Sequence, residues 1–112
     1  MGNDGRAADG QGLVVRPAGR LDLAAALDFR QQVQQLVGAG SARLVLDLSE
    51  VSFLDSSGLM AIISGLKQTR QAGGDLRIAG PSQQAKLVLE LSSLDQVLPI
   101  YPSVEEAQEG FN

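Results

Sequence analysis

The spacing of apolar and polar positions changes several times along the chain, and each change marks an element. Leu13-Val14-Val15 is a short apolar run that continues through Arg16-Pro17-Ala18-Gly19-Arg20 to Leu21. It predicts a strand that must tolerate a proline; because Pro17 donates no ladder hydrogen bond, it belongs at an edge-facing position or a bulge. From Asp22 the spacing becomes helical, with Phe29, Val33, Leu36 and Val37 at i, i+4, i+7 and i+8. Asp22 fits the N-cap region of this helix, and Gly38-Ala39-Gly40 fits its left-handed stop. Arg43 to Leu48 reads as a buried strand, followed by a turn at Ser49-Glu50 and a strand-like run Val51-Ser52-Phe53-Leu54.

A second helix follows Asp55-Ser56-Ser57-Gly58, with Leu59, Ile62, Ile63 and Leu66 on one face and Ala72-Gly73-Gly74 at its end. Leu76 to Ala79 predicts a third strand. Pro81-Ser82 opens a third helix with Ala85, Val88 and Leu91 on one face, and Val97-Leu98-Pro99-Ile100 reads as a last strand. Ser103 and Glu106 have the spacing of a capping box, in which each satisfies the other's end of a helical turn. Strand and helix alternate throughout with short connections, which predicts right-handed crossovers and a mostly parallel sheet in a small α/β domain. Met1 to Gln11 mixes Gly, Asp, Asn and Ala without periodicity and reads as a mobile tail, leaving the folded domain over 12–110.

Composition narrows the chemistry. The chain has 112 residues, enough for one domain that buries about 65% of the unfolded surface. It contains no cysteine and no histidine. Disulfides, thiolate or imidazole metal sites, cysteine nucleophiles and imidazole-activated serines are therefore excluded. Phe29, Phe53, Tyr101 and Phe111 are the aromatics, so the core must be aliphatic and ring stacking has few candidates. Nine basic against thirteen acidic residues leave a formal net charge of -4, the wrong sign for a phosphate-backbone binder, and nucleic acid is not an expected partner. With no apolar run of membrane-spanning length and no apolar leader, a cytoplasmic protein without a membrane partner is expected.

The glycine clusters follow helices and precede strands, the reverse of a phosphate-cradling turn, and read as helix stops. Asp22, Asp47 and Asp55 stand at or near strand ends, where a parallel sheet places ligand sites. Their type suits Mg²⁺, but Asp22 has a capping role available and Asp47 an ordinary strand-terminating one, so no dedicated metal site is expected. Few aromatics and an open sheet also leave no sugar cleft for a carboxylate pair. Asp55-Ser56-Ser57-Gly58 is the informative segment, because its strand-to-helix setting makes at least one serine a turn residue with an exposed hydroxyl. Two readings stand side by side. In one, Ser57 or Asp55 caps the helix and Gly58 eases the bend. In the other, phosphate on an exposed serine adds about -1.5 to -2 charge beside Asp55. A helix N-terminus accommodates that anion, whereas a partner docked over the loop meets bulk, desolvation and repulsion.

Val51 to Leu59, preceded by Leu44 to Leu48 and by Gly19-Arg20-Leu21-Asp22, resembles the STAS domains of bacterial anti-sigma factor antagonists. Lys67 to Gly74 and Leu91-Ser92-Ser93-Leu94 fit the same pattern, so the resemblance covers roughly Leu13 to Ala107. It implies a four- to five-stranded, mostly parallel mixed sheet with flanking helices. It also implies partner switching: the unmodified protein binds an anti-sigma factor that is a GHKL-type serine kinase and so releases the sigma factor. The kinase then phosphorylates the antagonist and ends the interaction, and a PP2C-type phosphatase restores it. The resemblance places the phosphoacceptor at Ser56 and the border of the partner surface at Asp22, Asp55, Ser57 and Gly58; Met60 is added to that surface by its own position one residue after core-facing Leu59. ATP and Mg²⁺ belong to the kinase, and the antagonist itself needs no cofactor and is not an enzyme.

Three departures accompany the match. Arg20 stands where the family often has an acid, Met60 where glycine is frequent, and the usual first edge strand is represented by the polar tail. Met60 follows core-facing Leu59, so it either points outwards beside Ser56 or packs on the third helix. A monomer or weak dimer is expected. Two other roles are compatible with the residues: a constitutive scaffold subunit of a stress complex or a membrane transporter, and a small hydrolase or nucleotide-binding enzyme using Ser56 and the aspartates, with Lys67, Lys86 or a carboxylate as base.

Overall fold

A computed structural model of the chain describes residues 12–111. The tail over 1–11 and the edge strand it stands in for lie outside these residues. The elements in chain order are β1 (Leu13–Val15), β2 (Gly19–Leu21), α1 (Leu23–Gly38), β3 (Arg43–Asp47), β4 (Val51–Leu54), α2 (Ser56–Gln71), β5 (Asp75–Ala79), α3 (Gln83–Leu91), a 3-10 turn (Leu94–Gln96), β6 (Ile100–Tyr101) and α4 (Val104–Gln108). The main sheet runs β1-β3-β5-β6, and β2 pairs with β4 as a separate two-stranded ribbon. Every pairing among the described residues is parallel.

The split into sheet and ribbon has a local cause. Leu13 to Leu21 is not one strand but two, because Pro17 lies in the gap between β1 and β2 and the pairing shifts register at Gly19/Arg20. The neighbouring chain breaks at the same level, where Val51 N donates to Leu48 O across the Ser49-Glu50 turn. Asp47 ties the two breaks together. Its Oδ1 accepts from Ser49 N at 2.9 Å, and its Oδ2 accepts from Arg16 Nε at 2.7 Å. Burial pushes this carboxyl's pKa up, but the Arg16 hydrogen bond, the Ser49 hydrogen bonds and the Arg16 charge outweigh it and hold the group below its ordinary value. The hydrogen bond and charge of Asp47 in turn raise the Arg16 guanidinium.

Alternation along the strands loads both faces of the sheet. Leu44, Leu46, Leu76 and Ile78 join Phe29 and Val33 of α1 and Ala61, Ile62 and Leu66 of α2 in the main core. Val45 and Ala79 face the other way, towards Ala107 of α4 and Phe111. Both sides of a parallel sheet are thus covered, which explains the unbroken apolar run of β3. Arg77 of β5 fastens the C-terminal helix on that second face. Its Nη1 donates to Ala107 O at 2.8 Å and to Glu109 O at 2.9 Å, and its guanidinium lies 4.0 Å over the Phe111 ring.

The helix stops, starts and faces follow the sequence pattern only in part. Gly40 and Gly73 take positive φ values of 96° and 87°, so both glycine clusters end helices. Ser103 Oγ accepts from Glu106 N at 3.1 Å, one half of the expected capping box. On α2 the buried stripe is Gly58, Ala61, Ile62, Gly65, Leu66 and Thr69, with Leu59 and Ile63 only half-buried. Small residues let the helix lie close to its neighbours, a signal that counting large apolar side chains overlooks. On α3 the buried pair is Ala85 and Leu89, and Leu91 is 77% exposed rather than core-facing. Val97 to Ile100 is not a strand: the 3-10 turn takes up the preceding residues and β6 begins only at Ile100. Pro99 contributes a carbonyl that accepts from Ile78 N at 2.9 Å, and it has no N–H to continue the ladder.

The Asp47 pairing makes acid stability testable. Its folded-state pKa lies below the ordinary 3.8, so its stabilisation is complete above that value and is lost as the pH falls through the depressed folded value. Thermal melts of the wild type are expected to lose stability below about pH 4, and Asp47→Asn is expected to flatten that dependence. At neutral pH the same variant is expected to lose about 1–2 kcal/mol, the lower part of the range for a charge-assisted bond because the Arg16 partner is half exposed.

Candidate functional site

The ribbon carries two helix starts side by side. Leu21 and Leu54 are register partners at the ends of β2 and β4, and each is followed by an aspartate that caps a helix. Asp22 Oδ1 accepts from Ala25 N at 3.3 Å at the start of α1, and Asp55 Oδ1 accepts from Gly58 N at 3.1 Å at the start of α2. Both caps have extended backbone, as N-cap residues do. The carboxylates therefore complement the positive ends of two helices at one edge of the ribbon.

With Asp55 supplying the cap, neither serine is committed to it. Ser56 is the first residue of α2 and is exposed, while Ser57 is half-buried. Gly58 does not serve a bend: it is buried where α2 meets β2, and a Cβ there would stand 2.6 Å from both Leu21 O and Leu54 Cδ1. Only a residue without a side chain lets α2 start this close to the Asp22 loop. Met60, four residues after Ser56 and on the same helix face, is 61% exposed and points outwards.

Sequence reasoning missed two residues here. Leu23 and Leu27 on α1 are 63% and 54% exposed. They stand at the same offsets from Asp22 as Ser56 and Met60 do from Asp55, so the two helices present matching first-turn faces. The available signal was their position off the Phe29–Val33 stripe. Arg20, opposite Phe53 in the ribbon, lies 4.3 Å over that ring and 3.9 Å from Asp22 Oδ2. It thus covers an aromatic and leans on the cap, placing a positive charge beside the Asp22 carboxylate.

The structure brings Asp22, Asp55, Ser56, Ser57, Gly58 and Met60 to this one end, while Asp47 is held apart in its pairing with Arg16 and Ser49. Among the described residues, no three acidic, histidine or cysteine side chains gather as metal ligands, and no helix is long and apolar enough to cross a membrane.

The molecule is thus a small parallel α/β domain with an exposed serine at one of two adjacent capped helix starts. The STAS domain model matches residues 6–107, and the chain belongs to that family. The anti-sigma F factor antagonist of Paenibacillus polymyxa is 31% identical over 80% of this chain and 77% of its own. The anti-sigma-B factor antagonist of Bacillus subtilis is 28% identical over 77% of this chain and 78% of its own. The crystal structure of an anti-sigma factor antagonist from Mycobacterium paratuberculosis superposes with a TM-score of 0.79 at 25% identity, covering 96% of this chain and 90% of that one.

The close approach at Gly58 predicts the cost of a single methyl group. Gly58→Ala is expected to push the start of α2 away from β2 and to destabilise the domain by about 1–3 kcal/mol, the range for overpacking a tight contact. Urea unfolding followed by circular dichroism measures it.

Proposed function

We propose that this protein is an anti-sigma factor antagonist, a non-enzymatic cytoplasmic binding module whose affinity for its partner is switched by phosphorylation of Ser56. The observation that carries this reading is the division of labour at the start of α2: Asp55 takes the cap, and the Ser56 hydroxyl stands exposed beside it. The general role is supported by the antagonists among its relatives. The partner is an anti-sigma factor that is itself a GHKL-type serine kinase, bound over Asp22, Asp55, Ser56, Ser57 and Met60, with Leu23 and Leu27 extending the apolar part of the surface; Gly58, buried beneath it, positions the helix start rather than touching the partner.

In the switching step Ser56 Oγ attacks the γ-phosphorus of ATP held by the kinase. The bond from that phosphorus to the bridging oxygen breaks, ADP leaves, and the hydroxyl proton passes to a base of the kinase. The phosphate adds about -1.5 to -2 charge at the first residue of a helix. There the free N–H groups and the helix dipole favour an anion, so the domain keeps its fold. The docked partner instead meets added bulk and a third negative group beside Asp22 and Asp55, and it dissociates. A PP2C-type phosphatase hydrolyses the ester with water, returning the hydroxyl and inorganic phosphate. A constitutive scaffold role is not favoured, since it makes no use of the exposed serine.

Incubation with the cognate kinase and ATP, followed by phosphosite mapping, tests the site. Label is expected on Ser56 and lost in Ser56→Ala; undiminished labelling of that variant would overturn the assignment. Ser56→Asp is expected to keep the wild-type melting profile and to bind the kinase at least about tenfold more weakly by calorimetry. Replacing the exposed apolar pair, Leu23→Ser with Met60→Ser, is expected to cut the same affinity by about tenfold or more while leaving the fold intact.

A further inference from the structure

Helix α3 carries an exposed apolar feature that the serine loop does not use. Its inner residues Ala85 and Leu89 are buried, and its start is fastened to β4. Ser82 Oγ donates to Val51 O at 2.6 Å, Leu54 N donates to Gln84 Oε1 at 2.8 Å, and Gln84 Nε2 donates to Leu54 O at 3.4 Å. The helix is therefore a rigid platform. Its opposite face presents Leu87, 52% exposed, and Leu91, 77% exposed, one helical turn apart. Exposed Lys86 and Glu90 run beside this ridge. Gln83, Gln84, Lys86, Leu87 and Glu90 line a shallow hollow next to it.

We propose that this face binds the same face of a second copy of the chain, through antiparallel packing of two α3 helices about a two-fold axis. The face is self-complementary in two respects. In an antiparallel pair the same lateral edge of each helix meets its counterpart, so the basic residue of one copy can stand beside the acidic residue of the other. Lys86 then faces Glu90 twice, once on each side of the axis. Leu91, the most exposed large apolar residue of the domain, projects over the hollow around Leu87 of the other copy, and the reverse contact repeats it. The charge pairing and the fit of leucine into hollow both place the axis beside Val88 and Leu89, which is why the observations support one arrangement rather than two. A ridge of two leucines is small against a standard interface, so the association is weak.

Sedimentation equilibrium of the full chain across a concentration series reads this out. The wild type is expected to rise from the monomer mass of 11.7 kDa towards twice that value as the concentration approaches about 1 mM. Lys86→Glu and Glu90→Lys each replace two attractions with two repulsions and are expected to associate about tenfold more weakly. An equimolar mixture of these two variants is expected to recover the wild-type association, because every pair across the axis is again opposite in sign. Leu91→Asn is expected to abolish the dimer, and unchanged far-UV circular dichroism of all three variants shows that the fold is retained. A wild type that stays monomeric to about 1 mM, as it would if this face served a different protein, overturns the proposal. So does wild-type association by either charge variant, or a mixture that fails to recover.

Discussion

The placement of the functional end depends on the carboxylate of Asp47. Two neighbouring parallel strands break at the same level, and this one side chain accepts from Arg16 in the first break and from Ser49 in the second. That link braces both breaks, alongside the core packing of Leu21, Val51 and Leu54 and the bonds from Ser82 and Gln84 to β4. Because Asp47 is buried, its charge is held in a setting where an unpaired carboxylate would be costly, and the hydrogen bonds that relieve the cost also fix the geometry. Both capping aspartates and Ser56 lie past the break, at the end of the ribbon that this point helps to orient.

The ribbon then converts register into proximity. Leu21 and Leu54 are paired residues, so the residues that follow them emerge together and start two helices in parallel. Gly58 keeps the second helix hard against the first loop. The rigid parts of this end are thus backbone and caps, while its variable parts are the exposed first-turn residues Leu23, Leu27, Ser56 and Met60. On the proposed reading, such a surface gains charge and bulk while the fold beneath it is unchanged. The modified atom sits outside the cap, and the cap is what holds the helix start.

Much of this was legible in the chain itself. The Asp22 cap, an exposed serine at the strand-to-helix turn and the buried β3 run follow from spacing, because they depend on local hydrogen bonding and on period; for the second cap and for Met60 spacing left two readings each. The failures share a different cause. Leu91 fits the helical template but lies off the face that α3 turns to the strand, since Ser82 and Gln84 fix the rotation of that helix through bonds to residues some thirty positions away. The buried stripe of α2 runs through Gly58, Ala61 and Gly65, which a search for large apolar residues passes over. Val97 to Ile100 has strand composition, but Pro99 cannot donate and β5 offers partners to only two residues of β6.

By itself the sequence determined most of the helices and strands, that the sheet is mostly parallel, and that the chain has no imidazole or thiol with which to build an active site. Those properties reside in local periodicity, capping chemistry and composition. It also placed Asp55 and Ser56 at a strand-to-helix turn, without deciding which of Asp55 and Ser57 caps the helix. Tertiary structure made that decision, and it alone revealed that Asp47 joins two strand breaks, that Gly58 is required by contact rather than by a bend, and that Leu23 and Leu27 stand exposed on α1. Each of these depends on how far apart two segments lie after packing, a distance that no spacing along the chain encodes.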